Sequence, residues 1–131
     1  MKALDTNVLV RYLVQDEPDQ SLRAARFIEH ATSGGERLLI DVIVLCELAW
    51  VLESAYRYPK ANLAEALEAI LLTAQFEVEA KDNAWQALAD YRHSRADFAD
   101  CLIGRLNQSH GCDVTATFDT SLKGLPAFEL V

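Results

Sequence analysis

The sequence predicts an α/β fold, a central parallel sheet with helices over both faces. Three observations point there. Short apolar, β-branched runs alternate with amphipathic stretches of helical period along the whole chain. Glycine and proline, 5 and 3 of 131 residues, punctuate the pattern rather than fill it, which excludes linker-rich and disordered classes. The 131 residues fall within the ~100–200 of one domain, so 1–131 reads as a single unit. No apolar run approaches the ~20 residues of a membrane span, and MKALDTNVLV meets an acid too early for a secretory leader. No membrane role is expected.

Taken in order, residues 2–4 read as a buried strand ending near Asp5, followed by Thr6, Asn7 and the apolar run Val8–Val10. Pro18 and Asp19 introduce a helix carrying Leu22, Ala25, Ile28 and Ala31, stopped by Gly34-Gly35. Leu38–Val44 reads as a strand by its β-branched content. It runs straight into a helix bearing Leu45, Leu48, Leu52 and Tyr56, ended by Pro59. Asn62, with Glu65 three residues on, reads as the cap of a helix carrying Leu63, Leu67 and Ile70. A short strand at Phe76–Val78 follows, then a helix capped by Asp82 that runs through Trp85, Leu88 and Tyr91. A further helix starts after Asp97 and closes at Gly111; strands are expected at Val114–Phe118 and Phe128–Val131.

Right-handed crossovers set every strand's carboxyl end on one edge, where open α/β sheets place their sites. Asp5 falls there, at the end of the first strand. Glu47 falls in the first turn of the helix after the second strand. Asp97 and Asp100 start the helix before the fourth strand, and Asp119 lies just past that strand. Each acid has an ordinary reading as well, as a cap, a turn residue or a helix-dipole partner. Together at one edge they would repel unless a cation joins them. Carboxylate oxygens without His or Cys suit Mg²⁺ or Mn²⁺. Such a cluster also bears on the acidic balance, a formal charge of −8.

The cysteines Cys46, Cys101 and Cys112 form no CxxC or Cys/His ligand spacing. They read as reduced thiols packed as small hydrophobes, in keeping with a cytoplasmic setting. His30, His93 and His110 lie in or at the ends of helices and no metal role falls to them.

LDTNVLVRYL, CELAWVL, DFADCLIG and TATFD, in this order, resemble a PIN domain over residues 3–131, in particular a VapC-type toxin ribonuclease of a prokaryotic toxin–antitoxin pair. The resemblance implies an α/β/α sandwich and makes Asp5, Glu47, Asp100 and Asp119 the acidic quartet. It leaves Asp97 as an additional acid one turn before Asp100. Thr6 and Asn7 match residues that shape the first turn, and Thr117 matches the hydroxyl residue before the last acid. It further implies metal-dependent hydrolysis of RNA and a VapB-like antitoxin. A homodimer is expected partly from the resemblance and partly from the apolar helix with Trp50 and Tyr56. Arg11, Arg92, Arg95 and Lys123 are the candidate phosphate contacts.

Two other classes compete with this reading. A PIN-like protein-interaction scaffold would be expected to have lost acids, and none is lost. A haloacid-dehalogenase-like phosphatase wants a second Asp two residues after the first, where this chain has Asn7; a receiver domain wants adjacent acids and a late lysine. Asp97 is expected to cap its helix through its carboxylate, leaving Asp100 to face the cleft.

Overall fold

The computed structural model describes residues 1–131. The chain runs β1 (Lys2–Ala3), α1 (Thr6–Val14), α2 (Pro18–Ser33), β2 (Leu38–Ile40), α3 (Val42–Ser54), α4 (Lys60–Leu72), β3 (Phe76–Val78), α5 (Lys81–Arg92), α6 (Phe98–Ser109), β4 (Thr115–Thr117), a 3₁₀ turn (Thr120–Leu122) and β5 (Phe128–Leu130). All strand pairs are parallel, as expected. They form two ladders rather than one: β1-β2-β3, with Lys2 opposite Leu38 and Leu38 opposite Phe76, and β4-β5, with Thr115 opposite Phe128.

Several boundaries differ from expectation, each for a local reason. Val8–Val10 belongs to α1, a nine-residue helix too short to display its period in sequence. The β-branched run Val42-Ile43-Val44 is helical, not strand. Asp41 Oδ1 accepts from the Val44 N–H at 2.8 Å, and Glu79 Oε1 accepts from the Val42 N–H at 3.0 Å. Two carboxylates on orphan donors outweigh a weak strand preference. Glu47 therefore stands one turn deeper in α3 than expected.

Asn62 and Asp82 are not caps. Pro59 holds the cap position of α4, and Ala80, in the left-handed region at φ 53°, precedes α5. Asp82 instead sits in the first turn, where its charge suits the helix dipole. In α2 the buried stripe is Ser21, Ala24, Ile28 and Ala31, so Leu22 faces outward. Cys101 is buried and Cys46 half-buried, but Cys112 is exposed and packs no core. The three histidines are solvent-exposed.

The core is one cluster, with Leu9, Leu38, Ile40, Leu45, Leu48, Leu52, Leu67 and Leu102 each essentially removed from water. Burial of one such side chain contributes ~1.5–3 kcal/mol. Helices α5 and α6 are tied by Arg105, whose Nε and Nη2 donate to the two Asp90 oxygens at 2.8 and 3.0 Å. Tyr91 and Phe98 meet edge-on at 6.4 Å beside this pair. Gly104 is a contact point between α6 and β5: a Cβ there would come within 2.6 Å of the Phe128 ring and 3.0 Å of Ala127.

Candidate active site

Asp5 leaves β1 and becomes the N-cap residue of α1, its Oδ1 accepting from the Thr6 N–H at 2.8 Å. Thr6 is buried, and its hydroxyl donates to Glu47 Oε1 at 2.9 Å. This bond fastens the end of β1 to α3 and holds the first two acids together. The sequence suggested a turn-shaping Thr6; its bridging role depends on a contact across 41 residues that local pattern does not reveal. Asn7 lines a separate cavity of about 500 Å³ between α1 and α2, with Val8, Arg11, Gln20 and Phe27.

On the other side of the cleft, α6 begins at Asp97. Its backbone is extended, as a cap residue's should be (φ −69°, ψ 151°), yet its carboxylate accepts no hydrogen bond from the first turn. The expected side-chain cap is not made. The free charge acts on its neighbour instead. Burial raises the Asp100 carboxyl above the ordinary carboxylate range, and the charges of Asp97 and then Asp119 raise it further. Burial likewise raises the Cys46 thiol, with Asp100 adding to it. Cys46 precedes Glu47 on α3, and α3 packs against α6, the helix that carries Asp100.

Asp119 behaves differently. It caps the 3₁₀ turn, and the Ser121 hydroxyl and backbone N–H, the latter at 2.9 Å from Oδ1, hold its carboxyl below the usual range. Thr117 Oγ1 accepts from the Asp119 N–H at 3.0 Å and fixes the backbone on which the acid stands.

The acids thus gather from four points of the chain: Asp5 with Glu47 through Thr6, and Asp97 with Asp119 around Asp100. No three ligating side chains converge on one point as a finished coordination shell. Against this geometry, the PIN domain model matches residues 2–127. The chain belongs to the PIN domain family. A VapC ribonuclease of Aquifex aeolicus (strain VF5) is 30% identical over 125 residues, 95% of this chain and 92% of that protein.

The donor chemistry of this PIN domain suits a hard divalent cation. Its candidate ligands are all carboxylate oxygens, and burial, with the charges of Asp97 and Asp119, disfavours the bare Asp100 carboxylate that a cation would stabilise. The four expected phosphate contacts divide in two. Arg11 is occupied by Gln20 at 2.7 Å, Tyr56 at 2.9 Å and Asp16 at 3.3 Å, and Arg92 pairs with Glu68 at 3.1 Å. Arg95 and Lys123 are exposed and line one cavity beside the acids. No helix of this PIN domain is long and apolar enough to cross a membrane.

Proposed function

We propose that residues 1–131 act as one PIN domain that hydrolyses RNA phosphodiesters with Mg²⁺ or Mn²⁺, as the toxin of a toxin–antitoxin pair. The observation that carries this reading is geometric: Thr6 ties Asp5 at the end of β1 to Glu47 of α3, and Asp97, Asp100 and Asp119 stand at the start of α6 and just past β4. The VapC ribonuclease relative supports it along nearly the whole chain.

Asp5, Glu47 and Asp100 hold the cation, some through water, because Mg²⁺ dehydrates reluctantly. When bound, the ion lowers the pKa of a water and offsets charge building on the phosphoryl oxygens. Asp97, free of any capping bond, adds a fourth negative charge beside Asp100. Asp119, held by Ser121, completes a second position or orients the attacking water. Thr6 sets the distance between Asp5 and Glu47. With water as nucleophile, the product carries a 5′-phosphate.

The test is cleavage of RNA by the purified protein, free of any partner. Activity should need Mg²⁺ or Mn²⁺ and stop in excess chelator; cleavage that persists there would overturn the metal mechanism. The partners proposed are a second copy of this chain and a VapB-like antitoxin. Ile43 and Trp50, about 70% exposed and seven residues apart on α3, offer an apolar face for such contacts. Light scattering at micromolar concentration should give a dimer, and a monomer would exclude it. The absence of any disulfide among the three thiols supports a cytoplasmic setting.

A further inference from the structure

Beside the acids lies a cavity of about 480 Å³, lined by Ser94 and Arg95 from the α5–α6 connection and by Thr120, Ser121 and Lys123 from the turn after β4. It is polar, with one hydrophobic residue in its wall. It brings together two cations, Arg95 and Lys123, that no carboxylate pairs.

The ion pairs of the molecule use the N-terminus, Lys2, Arg11, Arg23, Arg37, Arg92 and Arg105. Arg95 and Lys123 take part in none, although Asp97 stands two residues from Arg95 and Asp119 four from Lys123. Each is held in place by backbone structure. Lys60 Nζ donates to the Ser94 carbonyl while lying over the Tyr91 ring, which anchors the segment bearing Arg95. Lys123 follows the 3₁₀ turn that Asp119 opens, and its own N–H donates to the Thr120 carbonyl.

Lys123 stands four residues after Asp119, at the far end of the three-residue turn that Asp119 opens. A guanidinium, an ammonium and the hydroxyls of Ser94 and Thr120 on one concave wall match the oxygens of a phosphate. We infer that this cavity is a phosphate subsite for the RNA strand, holding the phosphodiester next to the one placed over the acids. The inference rests on the ribonuclease reading and adds to it the residues that set the strand's path across an acidic protein.

The experiment compares R95Q/K123Q with the charge-matched R26Q/K81Q, whose positions lie outside the cavity. Binding of a fluorescein-labelled single-stranded RNA 12-mer is followed by anisotropy in the D100N protein, from about 50 to 200 mM salt. R95Q/K123Q should weaken binding about tenfold, the loss of charge-assisted hydrogen bonds to one phosphate. It should also flatten the slope of log affinity against log salt by about 0.7. In the cleaving protein KM should rise with kcat nearly kept, and R26Q/K81Q should change none of these.

Inorganic phosphate should compete with RNA in the D100N parent and lose that competition once Arg95 and Lys123 are replaced. Equal losses in both pairs would reduce the effect to net charge and overturn the subsite. So would an unaltered slope in R95Q/K123Q, or phosphate competition that survives the substitutions. If the unsubstituted protein neither binds nor cleaves RNA, the ribonuclease reading itself falls. If it does both while R95Q/K123Q matches it, the subsite alone falls. Both cations are exposed, so folding, checked by circular dichroism, should be the same in all variants.

Discussion

Four helical turns of this molecule open on an aspartate, at Asp5, Asp41, Asp97 and Asp119, and the last two use it in opposite ways. At Asp119 the carboxylate is taken up by Ser121, and its pKa falls. At Asp97 the backbone is set for a cap but the carboxylate is left free, and its charge raises Asp100 instead. Position at a helix start therefore does not decide what a carboxylate does. The hydrogen bonds it accepts set its own protonation: Ser121 lowers Asp119, while the charges of both acids, Asp97 ahead of Asp119, add to the burial that raises Asp100.

The largest expected effect lies at the centre of that contrast. Asp100→Asn should lower RNA cleavage by about a hundredfold or more, since an uncharged amide is a poor partner for a hard cation. Its melting temperature should be no lower than that of the parent, because a crowded charge has been removed. Unchanged turnover would show that the strain on Asp100 has nothing to do with chemistry. Asp97→Asn comes next. With no side-chain cap to preserve, the substitution removes only charge, so a loss of roughly tenfold or more in rate is expected with stability kept. Full activity in that variant would break the contrast and make Asp97 a bystander.

Asp119 sharpens the other half. Asp119→Asn keeps an acceptor for the Ser121 N–H, whereas Asp119→Ala loses it. Both should slow cleavage, but thermal melting should drop slightly in Ala alone. Equal melting curves would mean the capping bond contributes nothing.

The smallest effect is in pH. The Asp100 carboxyl is raised in the folded chain, so folding favours its protonated form. Its contribution to stability is neutral below the ordinary carboxylate range and becomes unfavourable as pH rises from there through the raised folded value. Chelator-treated Asp100→Asn should therefore gain on the parent as pH climbs through that range and gain nothing at lower pH. A stability difference independent of pH would contradict the raised value.

Much of this was legible in the sequence, and what was not has identifiable causes. The α4 stripe of Leu63, Leu67 and Ile70 is buried as its spacing predicted, and α6 ends before Gly111, which takes φ 91°. Strand and helix order leads to the expectation that Asp5, Asp100 and Asp119 lie near one edge. The Thr6–Glu47 bond was not legible, because it depends on how β1 and α3 pack. Val42–Val44 misled because its β-branched residues favour strand, while its helical start is secured by Asp41 and by Glu79, a residue far along the chain. Asp97 misled for a related reason: sequence gives a residue's place at a helix end but not which groups its oxygens meet.

Gly104 carries a consequence that charge does not express. It lies outside the acidic cleft and has no side chain, yet its missing methyl is what lets the Phe128 ring lie against α6. Phe128 opens β5, and β5 is the strand against which Thr115–Thr117, and hence the approach to Asp119, is aligned. The smallest enlargement of that glycine would wedge the strand outward and mistune an acid it never touches. A screen for inactive variants should therefore recover substitutions there that keep every carboxylate, as losses of alignment rather than of chemistry.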